Sequence, residues 1–62
     1  MILALIQVLT VWENKGNSYR FYCEDGVISV RLFKGEKEVF SAKSEYAQDI
    51  IYDLIKQNEK SN

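Results

Sequence analysis

Punctuation constrains this chain more than any other feature. Its three glycines all lie in turn-forming sequence, and proline is absent. Asn14-Lys15-Gly16-Asn17, Asp25-Gly26 and Lys34-Gly35-Glu36-Lys37 follow one another at short intervals, so only short elements fit between them. Asp25-Gly26 separates two β-rich runs, Tyr19-Arg20-Phe21-Tyr22-Cys23 and Val27-Ile28-Ser29-Val30-Arg31-Leu32-Phe33. That is a strong hairpin signal, because a type I′ turn needs positive φ at both central residues. A third, shorter run, Glu38-Val39-Phe40-Ser41-Ala42, follows the Gly35 turn.

The N-terminal run is apolar up to Trp12, broken only by Gln7 and Thr10. It lacks the basic n-region and small-residue cleavage site of a signal peptide. Its twelve residues fall short of the roughly 20 that a bilayer-spanning helix needs. Bounded by a turn signal, it reads as a buried strand. After Lys43 the period changes. Ala47, Ile50, Ile51, Leu54 and Ile55 recur at helical spacing, with Tyr46 on a flank and Ser44 placed to cap the N-terminus. Glu45 and Asp49 suit the start of the helix dipole, and Lys56 and Lys60 its end. The expected fold is α+β: an antiparallel four-stranded β-meander followed by one C-terminal α-helix packed on one face, β-β-β-β-α. Residues 1–57 would form a single domain and residues 58–62 a flexible polar tail.

Register assigns faces. A two-residue Asp25-Gly26 loop pairs Glu24 with Val27, and then Cys23–Ile28, Tyr22–Ser29, Phe21–Val30, Arg20–Arg31 and Tyr19–Leu32. Tyr19, Phe21, Cys23, Ile28, Val30 and Leu32 thereby share the helix side. Ile6, Val8, Thr10 and Trp12 of the first run join them. Cys23 reads as a small core hydrophobe. In the last hairpin either Val39 or Phe40 points inward, and the larger gain from burying Phe40 favours it. The uncovered face would collect Leu3, Leu5, Leu9, Val11, Tyr22 and Phe33, an apolar patch larger than a soluble monomer usually exposes. Arg20 and Arg31 would stand directly opposed on that face, a relation that destabilises a strand pair.

The inventory narrows function. A chain of 62 residues with no histidine and one cysteine has no internal disulfide, no Cys/His zinc quartet and no histidine-based triad. Cys23 has no histidine to activate it, and no glycine-rich phosphate loop or nucleophile elbow occurs. The expectation is a non-enzymatic protein without metal, cofactor or membrane segment. An unpaired cysteine suits a reducing, cytoplasmic setting. The formal net charge of −1 exerts no overall pull toward nucleic acid.

A domain this size buries only about 60% of the surface its unfolded chain exposes, so an unshielded face calls for a second chain. The leading reading is a homodimeric protein-binding module with Leu3, Leu5, Leu9, Val11, Tyr22 and Phe33 at its interface. It would act as an inhibitor or regulator on a larger protein partner. In size and element order the outline resembles small phage-encoded inhibitors and small dimeric single-stranded nucleic-acid binders, although no motif carries residues across. Arg20 and Arg31 admit two readings. They form an anion or partner contact framed by Tyr22 and Phe33, or they are neutralised by Glu13, Glu24 or Glu38. The first reading yields two alternative functions: single-stranded nucleic-acid binding on the uncovered sheet face, or sequestration of a small nucleotide-like anion at a dimer seam. Glu45, Asp49 and Asp53, with Tyr52 nearby, form an acidic helix stripe that reads as a solvated outer face.

Overall fold

The N-terminal apolar run folds as a helix. In the computed structural model, which describes residues 2–60, α1 spans Ile2–Asn14. It is followed by β1 (Ser18–Glu24), β2 (Val27–Lys34), β3 (Lys37–Ser44) and α2 (Ala47–Lys60). The strands form one antiparallel sheet in the order β1-β2-β3. The architecture is therefore α-β-β-β-α with three strands, and the expected four-stranded meander with a single helix is incorrect.

Length and layer width explain the correction. A run of 12 or more residues exceeds the usual buried strand and reaches ordinary helix length. Leu5, Leu9 and Trp12, at i, i+4 and i+7, bury one flank of α1 completely. A helix also satisfies its own backbone hydrogen bonds and adds no open strand edge. Four strands span roughly 14 Å from first to last at the usual 4.8 Å spacing, more than one helix covers. Three strands span about 10 Å, close to the separation of two packed helices. The two layers match in width.

The β1–β2 register agrees with the expected one from Glu24↔Val27 through Tyr19↔Leu32. Asp25 (φ 52°) and Gly26 (φ 77°) are both left-handed, as the type I′ turn requires. In the next hairpin Lys34 pairs with Lys37, and Gly35 takes a positive φ of 62°. A bulge then intervenes, because Phe33 opposes Glu38 while Leu32 opposes Phe40. Val39 is the extra residue. Both Val39 and Phe40 pack against the core, because the bulge brings the two to the inner side together.

The core lies between the sheet and the helices. It joins Leu5, Leu9 and Trp12 of α1 to Ile28, Val30 and Leu32 of β2, and to Ala47, Ile50 and Leu54 of α2. Trp12 binds three elements. Its ring is 1% exposed, its Nε1 donates to the Ser18 carbonyl at 2.8 Å, and the Lys34 ammonium lies 5.9 Å from the ring centroid. Burying a ring of this size stabilises the domain by a few kcal/mol. Cys23 stands on the helix side of β1 but is exposed, contrary to its expected place in the core. Tyr19 and Phe21 beside it are half-buried, so cover over this edge strand fades toward the Asp25 turn.

Ser44 organises the entry to α2 from the end of β3. Its Oγ accepts the Tyr46 N–H at 3.0 Å and donates to Asp49 Oδ2 at 3.2 Å. At the other end, the polar sequence expected as a tail from Asn58 continues the helix to Lys60, and residues 61–62 lie outside the described ones. Asn58 Nδ2 donates to the Val8 carbonyl at 3.3 Å, and Lys15 Nζ donates to the Asn58 carbonyl. The ends of the two helices are thereby tied together.

Candidate functional site

With α1 and α2 both on one side, two surfaces remain whose composition packing does not explain. The first is the outward flank of α1. At 100° per residue, burial of Leu5, Leu9 and Trp12 turns Leu3, Gln7 and Thr10 toward solvent with Ile6 at their border, while Ile2 continues the buried stripe and is half-exposed at the first position of the helix. Leu3 is 70% exposed and Ile6 43%. Thr10 donates its hydroxyl back to the Ile6 carbonyl at 2.9 Å, which hides its donor within the helix. No charged residue precedes Glu13 in the chain. The flank slopes into a groove between α1 and the β1 edge, about 550 Å³ in volume and lined by Ile6, Glu13, Ser18, Tyr19 and Phe21. On the opposite slope Val8, Val11 and Ile55 line a second, more apolar groove against α2.

The second surface is the open face of the sheet. Alternation along the strands makes it a grid of three full rows, closed at the Asp25 turn by the pair Glu24 and Val27. Ser18, Phe33 and Glu38 form one row, Arg20, Arg31 and Ser41 the next, and Tyr22, Ser29 and Lys43 the third. Both arginines of the chain occupy its middle row and oppose each other directly. Each has found an internal partner. Arg31 Nε lies 3.6 Å from Glu38 Oε1, with both side chains nearly half-exposed, and Arg20 stands over the Phe33 ring at 5.9 Å. Exposed contacts of these kinds contribute at most about 1 kcal/mol each. Ser29 is 3% exposed despite standing on this face, in register between Tyr22 and Lys43.

The expected interface residues therefore divide three ways. Leu5 and Leu9, expected on the uncovered sheet face, lie fully buried in the core. Leu3 and Val11 are exposed, but on α1 in the other layer. Tyr22 and Phe33 do share the open face with Arg20 and Arg31. The single apolar patch expected there does not exist. The residues missed were Ile6 on α1, and Lys43 and Ser41 on the sheet. Helical phasing of the first run would have revealed the former, and the bulge at Val39 obscured the register that places the latter.

The acidic stripe lies where the spacing put it. Glu45, Asp49 and Asp53 are exposed, and Tyr52 beside them packs its ring 4.4 Å from the Lys56 ammonium. Among the described residues, no group of three or more His, Cys, Asp or Glu is disposed to hold a metal ion. No helix among them is long and apolar enough to cross a membrane.

Taken together, the chain is a small two-layer α+β domain, with an uncharged apolar helix flank on one side and a mixed basic and aromatic sheet face on the other. No protein-family model, curated protein or solved structure matches it.

Proposed function

We propose that this chain is a small non-enzymatic binding module, homodimeric through the outward flank of α1, that inhibits or regulates a larger macromolecule by occupying one of its surfaces. The observation that carries the proposal is the flank itself. Leu3 is 70% and Ile6 43% exposed on a helix whose first charge is Glu13, and Ile2, at the start of the buried stripe, is itself 44% exposed. Apolar area on the order of a few hundred Å² marks an interaction surface on so small a domain.

The absence of charge favours a second copy as its occupant. A two-fold interface sets each patch against itself, so a patch of one charge sign repels its own image and an uncharged patch does not. Gln7 and Thr10 provide a sparse polar margin, and the groove beside Tyr19 and Phe21 can receive the partner's Leu3 crest. The non-enzymatic part of the reading rests on the residue inventory, which lacks histidine altogether.

Light scattering and sedimentation test the proposal at concentrations up to about 100 µM, where even a modest interface is populated. The expected result is a dimer that becomes a folded monomer when Leu3→Asp and Ile6→Asp are combined. A wild-type monomer across that range, or a double variant of unchanged mass, overturns it.

A further inference from the structure

The open sheet face lies on the opposite layer from the α1 flank, so what it binds does not depend on how the chain self-associates. Two shallow hollows mark this face. One, about 370 Å³, is lined by Ser18, Tyr19, Arg20, Phe33, Gly35 and Glu36. The other, about 270 Å³, is lined by Tyr22, Glu24, Asp25, Val27, Ser29 and Lys43. Each hollow sets one aromatic ring of the face and one cation beside carboxylates, Phe33 and Arg20 with Glu36, and Tyr22 and Lys43 with Glu24 and Asp25. Arg31 stands in the row between them. By strand geometry the two rings are rooted roughly 14 Å apart, two rows along the sheet and one strand across.

We propose that this face binds a single-stranded nucleic acid, with Phe33 and Tyr22 stacking on bases and Arg20, Arg31 and Lys43 contacting phosphates. The motif of the surface is a repeat, ring plus cation, cation, ring plus cation. A polymer that alternates a flat aromatic with an anion matches that order, and single-stranded nucleic acid is such a polymer. The Arg20–Arg31 opposition supports the same conclusion. Two like charges facing each other across a strand pair lower stability, and an anion between them reverses that effect. Although the chain carries a net charge of −1, the open face carries Arg20, Arg31 and Lys43 against Glu24 and Glu38. Glu24, Asp25 and Glu36 stand at the rims, where carboxylates can accept hydrogen bonds from base amino groups. A duplex keeps its bases stacked internally and offers no free ring to Tyr22 or Phe33, which favours a single strand.

Fluorescence anisotropy with a labelled, mixed-sequence single-stranded DNA of about 12 nucleotides tests the assignment. Three phosphate contacts give a log–log salt slope near −2, so affinity should fall about twentyfold between 50 and 200 mM salt. Tyr22→Ala should weaken binding at least about fivefold through lost stacking. Arg31→Gln should flatten the salt slope by about 0.7, the share of one phosphate on a single strand. Both substitutions are at exposed positions, and circular dichroism checks that each variant is folded. The same DNA as a duplex should bind more weakly, and polyglutamate should compete poorly. Absence of binding at 50 mM salt, a salt-independent affinity, or full retention of affinity by Tyr22→Ala overturns the proposal. So does equal competition by polyglutamate, which would identify an acidic peptide surface as the occupant instead.

Discussion

The outward flank of α1 and the open face of the sheet are both solvent-exposed, yet they differ in nearly every chemical respect. Leu3, Ile6 and Gln7 present a surface with no charge, and its one hydroxyl, on Thr10, is turned back into the helix. The sheet face presents Arg20, Arg31 and Lys43 around two aromatic rings. The contrast teaches that exposure alone does not define an interaction surface. The α1 flank can meet its own image without electrostatic cost, whereas the sheet face meeting itself would bring six cations together against four carboxylates. Charge assigns the two surfaces different classes of occupant.

Trp12 offers the hardest test, because the contrast exists only while α1 is docked. Trp12→Ala removes the ring, the bond to the Ser18 carbonyl and the contact with Lys34. It should cost about 3–5 kcal/mol, against a total stability of roughly 3–9 kcal/mol for a chain this long. Urea denaturation should find the variant largely unfolded. A cooperative transition near the wild-type midpoint would mean that α1 contributes little to the fold.

Gly26→Ala should cost about 1 kcal/mol or more. The added Cβ meets nothing within 4 Å, so the expected loss comes from the left-handed backbone alone, at φ 77°. Thermal melting measures it, and a variant as stable as wild type would mean that the turn relaxes to another type without consequence for the hairpin.

Arg20→Thr should change stability least. Relief of the repulsion from Arg31 and loss of the contact with Phe33 oppose each other, which leaves a net change within about 0.5 kcal/mol. The same variant should lose affinity for single-stranded DNA. A marked loss of stability with unchanged DNA affinity would make the arginine pair a structural feature and remove the functional contrast between the two faces.

The hairpin and the second helix were legible because each carries a signal of one period only. Asp25-Gly26 demands a two-residue turn, and once that is granted every pair from Glu24↔Val27 to Tyr19↔Leu32 follows. Ile50, Ile51 and Leu54 fit a helix and no strand pattern. The first run carries no such discrimination. With apolar residues at nearly every position, it fills one face of a strand or one flank of a helix equally well. Its misassignment moved Leu5 and Leu9 onto a face they do not occupy and merged two separate surfaces into one patch. Val39 failed to be placed for a different reason. A bulge adds a residue without a turn signal, and only pairing with β2 reveals it.

By itself, then, the sequence determined the β1–β2 register, the amphipathic α2 and the opposition of Arg20 and Arg31, because turn chemistry and periodicity act over a few residues. The length of the N-terminal run already suits a helix, and the tertiary structure decided that it forms one. A three-stranded sheet needs a second helix to complete its cover, and a largely apolar segment takes whichever conformation the other layer leaves room for. That choice cleared Leu3, Leu5, Leu9 and Val11 from the sheet, and the face they left is basic and aromatic.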